Sequence, residues 1–174
     1  DAAGVVGLHP HEERAGRPMV RPVGPPGDAN PRLARLRVGD YSLATDLLGD
    51  PGLPPVILLH GIPGWRGTWR PVAQLLATRA HIVAPDLAGF GESSAAPAEF
   101  HAADHARLIV ALIRTLGLRR VHLVGFDFGG PTAVMVCAQT PELVATLTLA
   151  ATNVLTDTGI PLPLQLVRPP VVGD

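Results

Sequence analysis

Apolar positions fall into short blocks parted by polar, glycine-rich and proline-rich turns, and the length and period of each block predict strands alternating with helices. Residues 33–38 and 42–48 flank Gly39-Asp40, a hairpin turn signal, and read as two antiparallel strands. Residues 51–55 make a turn, and Val56, Ile57, Leu58 and Leu59 form a wholly apolar run of the kind that lies buried in a sheet. A helix is expected at 69–79, a strand at 81–84 and a long amphipathic helix at 101–116. A strand at 121–124, a helix at 130–139 stopped before Pro141, and a strand at 143–150 rich in β-branched residues follow. Such alternation after an antiparallel start implies an α/β class: a mixed, mostly parallel sheet flanked by helices. Residues 1–31, rich in Gly, Pro, His and Arg without an apolar period, are read as a disordered arm preceding a core over 32–152. The stretch 153–174 turns proline-rich at Pro161, Pro163, Pro169 and Pro170. No internal repeat is evident.

Bulk composition narrows the function classes. The chain has 174 residues, 47% of them apolar, which suits one domain with a real core. Fourteen Lys and Arg against 15 Asp and Glu leave a net charge of −1, so neither nucleic acid nor an anionic membrane is an expected partner, and a small apolar organic substrate fits better. No apolar run reaches the roughly 18 residues of a membrane span, because Arg114, Arg119 and Arg120 break the longest stretch. No secretory signal opens the chain and no initiator methionine does, so a soluble, cytoplasmic protein is expected. Cys137, the single cysteine, sits in a helix-like apolar run and reads as a buried, inert thiol. His101 and His105 stand at i, i+4, but no third ligand accompanies them; they read as a solvated helix face, and neither metal nor cofactor is expected.

The chemistry concentrates where the strand at 121–124 runs through Gly125-Phe126-Asp127-Phe128-Gly129 into a helix. In a Gly-x-nucleophile-x-Gly elbow the central side chain projects from a sharp strand-to-helix turn, and the flanking glycines let the backbone close. An aspartate there carries its charge at neutral pH and can displace a leaving group from carbon. The competing reading is structural, since an aspartate at a helix start is often only an N-cap.

Two further segments bear on that choice. Residues 56–59 run into His60-Gly61-Ile62-Pro63-Gly64-Trp65, and residues 81–84 run into Pro85-Asp86-Leu87-Ala88-Gly89-Phe90-Gly91-Glu92-Ser93. In this order and spacing, the three motifs resemble the α/β-hydrolase fold and its aspartate-nucleophile branch, the epoxide hydrolases and haloalkane dehalogenases, across roughly residues 33–160.

The resemblance implies that Asp127 attacks a saturated carbon and becomes an alkyl ester, which a histidine-activated water then hydrolyses. It implies an oxyanion hole from the N–H groups of Phe128 and Ile62. His60, Trp65 and Phe128 are expected to border the substrate, with His60 chiefly shaping its loop; Asp86 is expected to be a turn former. Trp65 and Trp69 either line the entrance or anchor the helix. An x-Pro step in a tight site loop predicts a cis Ile62-Pro63 bond. Haloalkane dehalogenases usually place a tryptophan after the aspartate and a polar residue in the loop. Here Phe128 and Ile62 have side chains that donate no hydrogen bond, which favours an epoxide hydrolase. The tyrosines that protonate an epoxide belong to the family's cap domain, and Tyr41, the one tyrosine, lies in the N-terminal hairpin. The family's general-base histidine and orienting acid follow the cap, and the sequence ends about where the cap begins. The chain is therefore expected to be an N-terminal fragment, inactive alone. Its strand at 143–150 would form an exposed edge prone to self-association. A non-catalytic hydrolase-fold binding protein and a half-domain that only associates stay open beside the enzyme.

Overall fold

A computed structural model describes residues 30–152. Apart from Asn30 and Pro31, the expected arm lies outside these residues, as does the expected start of a cap at 153–174. Strands β1 (Arg32–Val38), β2 (Tyr41–Leu48), β3 (Pro55–Leu59), β4 (His81–Pro85), β5 (Val121–Phe126) and β6 (Val144–Ala150) form one sheet in the order β1-β2-β4-β3-β5-β6. β1 pairs with β2 and β2 with β4 in antiparallel fashion, and the remaining pairings are parallel. Helices α1 (Arg70–Leu76), α2 (Ala102–Thr115) and α3 (Gly129–Gln139) make the crossovers. The expected elements are all present, with ends shifted by a few residues. The helix expected at 69–79 is shorter, because a 3-10 turn, Arg66–Trp69, occupies its approach.

Alternation along the central strands sorts side chains onto two faces. Ile57, Leu59, Val83, Val121 and Leu123 pack with Ile109, Leu112 and Ile113 of α2 and with Ala133 and Val136 of α3. Leu48, Leu58, Ile82 and Ala84 meet Ala73 of α1 and Ala77 just after it on the other face. Burying a side chain the size of leucine stabilises by about 2 kcal/mol, so the larger cluster fixes the central strands. α2 starts with the Asp104 carboxylate accepting the His101 N–H at 2.8 Å. It ends where Gly117 takes φ +65 and the Leu118 N–H reaches back to the Ile113 carbonyl at 3.0 Å.

Two sequence readings change. His105 is not on a solvated helix face: it is 3% exposed and joins the stripe of Ile109, Leu112 and Ile113 at i+4, i+7 and i+8. Only His101 of that pair faces water. Asp86 is more than a turn former, being wholly buried with a carboxylate that accepts three hydrogen bonds. Cys137 is half-buried against the core, and burial pushes its thiol pKa up. No helix among the described residues is long and apolar enough to cross a membrane.

Candidate active site

Two loops and a helix start converge at the C-terminal ends of β3, β4 and β5. Between β5 and α3 the chain turns at Asp127, whose φ of +50 lies in the left-handed region that non-glycine residues rarely occupy. Neighbouring backbone holds it there. The Asp127 N–H donates to the Ala150 carbonyl at 3.2 Å, while its carbonyl accepts the Gly130 N–H at 2.9 Å and the Thr152 hydroxyl at 2.6 Å. Glycine is required two residues before the turn: a Cβ on Gly125 would stand 2.5 Å from the Gly129 carbonyl oxygen and 2.7 Å from the Gly130 Cα. Gly61 has the same constraint from across the site, where a Cβ would lie 2.5 Å from Asp127 Oδ2.

The Asp127 carboxylate does not cap α3. Phe128 is the N-cap residue and makes no side-chain cap bond; Asp127 Oδ2 instead accepts the Ile62 N–H from the loop after β3, at 2.7 Å. That is a charge-assisted bond across 65 residues of sequence. The Ile62-Pro63 bond is cis, as expected. Asp127 and Ile62 are thus brought together, and the Phe128 amide follows at the positive end of α3.

The other expected site residues hold different places. His60 is wholly buried, with Nε2 accepting the Leu87 N–H at 3.0 Å and Nδ1 donating to the Gly61 carbonyl at 3.0 Å. Both ring nitrogens are used inside the protein, so its expected contact with substrate is corrected to support of the loop. Burial, the largest influence, lowers its pKa and keeps the ring neutral. The Phe128 ring faces His105 at 5.4 Å and Phe90 at 6.3 Å, within a cluster that also holds Phe100. Trp65 is exposed, and the Arg66 and Arg70 guanidinium carbons stand 5.1 Å and 5.2 Å from its ring. Trp69 packs edge-on against Phe126 at 6.2 Å with the α1 cluster, the anchoring role of the two considered for it.

Sequence reading missed the residues that brace the site. Arg66, 3% exposed, bonds three carboxylates: Asp46 of β2, Asp86 after β4, and Glu92. The available signal was Asp46 itself, a charge on the inward face of a strand whose neighbours on that face are Ala44 and Leu48. Thr152 carried no such signal, because its bond to the elbow exists only once β6 lies beside β5.

His105 makes stability depend on pH. Burial pushes its pKa down to about 4, against the pull of Asp104 and with a small push from His60. The folded chain thus refuses a proton that the unfolded chain binds near pH 6.5. Stability is therefore full above about pH 7 and falls as pH drops from 6.5 towards 4, by on the order of 2 kcal/mol between pH 7 and 5 from this residue alone. His60 and His81 shift in the same direction. Urea midpoints at pH 7.5 and pH 5 should differ accordingly, and His105→Phe should flatten part of the slope. An unchanged slope in that variant would remove His105 from the account.

Residues 54–169 match the family described as alpha/beta hydrolase fold. A haloalkane dehalogenase of Bradyrhizobium diazoefficiens is 35% identical over 112 residues, covering 64% of this chain and 36% of the relative. Among solved structures, an epoxide hydrolase superposes with a TM-score of 0.70 at 26% identity, over 79% of this chain and 49% of its own. A membrane phospholipase A, a bacterial virulence factor, gives 0.69 at 31% identity, over 72% and 41%. The chain spans about a third of the length of the curated relatives it matches.

Proposed function

The chain belongs to the alpha/beta hydrolase fold family, and on that premise we propose that it carries the nucleophile of a hydrolase acting on small apolar organic molecules through an ester on Asp127. The supporting observation is the Asp127 carboxylate itself, presented at a left-handed elbow with Oδ2 bonded to the Ile62 N–H at 2.7 Å. With Oδ2 anchored, Oδ1 attacks: a bond forms from Oδ1 to a saturated carbon, and the bond from that carbon to its leaving atom breaks. Hydrolysis of the ester passes through an oxyanion facing the Ile62 and Phe128 amides, and losing one such donor typically costs about 3 kcal/mol of transition-state stabilisation. Neither His60, with both nitrogens engaged, nor His105, enclosed by Phe90, Phe100 and Phe128, is free to activate the water, and we infer that the base lies outside the described residues.

An epoxide fits this site better than a haloalkane. A departing halide needs N–H donors beside the nucleophile. Phe128 and Ile62 offer none from their side chains. An epoxide oxygen stays attached to the product as an alkoxide and needs only a proton, which a solvent water can give, leaving hydroxide. Haloalkane hydrolysis is the second reading, favoured by the dehalogenase relative. Incubation with a panel of terminal epoxides and bromoalkanes, followed by peptide mass mapping, tests both. The expected product is an adduct on the peptide containing Asp127, formed faster from epoxides. Faster labelling by bromoalkanes would reverse the preference, and labelling of a different residue would remove Asp127 from the role.

We also propose that the isolated 174-residue chain associates through β6. Among the described residues β6 has a neighbour on one side only, and Thr146, Leu147, Thr148 and Leu149 are exposed, uncharged and free of proline. Sedimentation should show dimers or larger species; a monomer at tens of micromolar would exclude it.

A further inference from the structure

The Ile62 amide sits in a loop with two glycines and a proline, Gly61 to Trp65, whose near end continues β3. Its far end is Arg66, and there the structure concentrates buried charge. The Arg66 N–H donates to Asp86 Oδ1 at 2.6 Å, and Nη1 donates to Asp86 Oδ2 at 2.5 Å. Nε reaches Asp46 Oδ1 at 3.0 Å, and Nη2 reaches Glu92 Oε1 at 2.6 Å. One planar fork therefore ties the loop to three carboxylates, on β2 and on the loop after β4, at fixed angles, something a lysine ammonium does not reproduce. The carboxylates are held in turn. Asp86 Oδ2 accepts the Glu92 N–H at 2.8 Å, the Ser93 hydroxyl donates to the Asp86 carbonyl at 2.7 Å, and Arg35 donates to Glu92 at 2.7 Å. Gly91, at φ +53, lets the chain pass the Asp86 carboxylate where a Cβ would collide with it. His60 pins the start of the same loop through the Leu87 N–H, close to Asp86 in the chain.

We propose that Arg66 is the positioning residue of this site, its guanidinium fork fixing the loop so that the Ile62 N–H points at Asp127. The inference rests on the reading of Asp127 as nucleophile for its catalytic meaning, but its structural content is independent of that reading. Simple contribution to stability is the rival account. A stabilising ion cluster protects the whole fold evenly, whereas a positioning fork protects the Ile62 amide in particular.

Amide hydrogen exchange on the full 174-residue chain separates the two. In Arg66→Lys the Ile62 amide should exchange about tenfold faster, while amides of Ile57 and Leu123 in the central strands stay within about twofold. Glu92→Ala removes one arm of the fork at the rim and should move Ile62 alone by about threefold, which keeps the test open if the lysine variant folds poorly. The rate of adduct formation at Asp127 by an epoxide probe should fall by about tenfold in Arg66→Lys and about threefold in Glu92→Ala, while the reversible binding of the probe stays within about twofold. Ile62 exchange that rises only in step with Ile57 and Leu123 would overturn the proposal. A wild-type chain that forms no adduct, yet shows the selective exchange, would overturn the hydrolase reading and leave the anchoring role standing.

Discussion

Asp127→Asn is expected to lower adduct formation by about four orders of magnitude or more, the scale seen when a nucleophile is removed from an otherwise intact site. The amide is close in shape to the carboxylate, and its oxygen can still accept the Ile62 N–H now bonded at 2.7 Å. The elbow should survive, because its backbone bonds to Ala150, Gly130 and Thr152 do not involve the side chain. What disappears is the charged oxygen that attacks carbon. Intact mass after exposure to the epoxide panel reads the difference directly, with far-ultraviolet circular dichroism as the check on folding. Labelling of the asparagine variant at the wild-type rate would mean that another residue reacts.

Arg66→Met is expected to cost about 3–5 kcal/mol of stability, the range for breaking a buried pair from one side. Asp46 and Asp86 are 2% and 0% exposed, so removing the cation leaves Asp86 desolvated without a cationic partner and Asp46 with only the Arg70 Nε at 3.3 Å. Burial alone works against the charge on Arg66, but the hydrogen bonds it donates to Glu92, Asp46 and Asp86 outweigh it and hold the guanidinium pKa above its usual value. The loss should therefore come from the carboxylates. Replacing Asp86 by Asn in the same chain should recover part of it, since a neutral amide is less costly to bury. Urea denaturation at pH 7.5 measures both changes. A loss below about 1 kcal/mol would show that water reaches the cluster and that its burial counts for little.

Local pattern alone carried much of this protein. The order of strands and helices follows from apolar period and turn residues, because a helix or strand is decided by residues a few positions apart. The elbow at Asp127 was legible for the same reason, as was the facing loop with its cis Ile62-Pro63 bond. His105 was half legible: its spacing to Ile109, Leu112 and Ile113 places it on the buried stripe of α2, although its i, i+4 relation to His101 suggested a solvated pair. Tertiary structure decided the rest. Strand order β1-β2-β4-β3-β5-β6 depends on pairings between segments far apart in sequence, so the placement of β6 beside β5 is not written in its own residues. Asp127 and Ile62 are 65 positions apart, and only the adjacency of β3 and β5 aims the amide at the carboxylate. The Arg66 cluster is the clearest case, since a charged residue in a sequence reads as surface until the fold removes its water. Burial then makes each of its hydrogen bonds necessary, and the partners on β2 and beyond β4 are named by packing and not by sequence spacing.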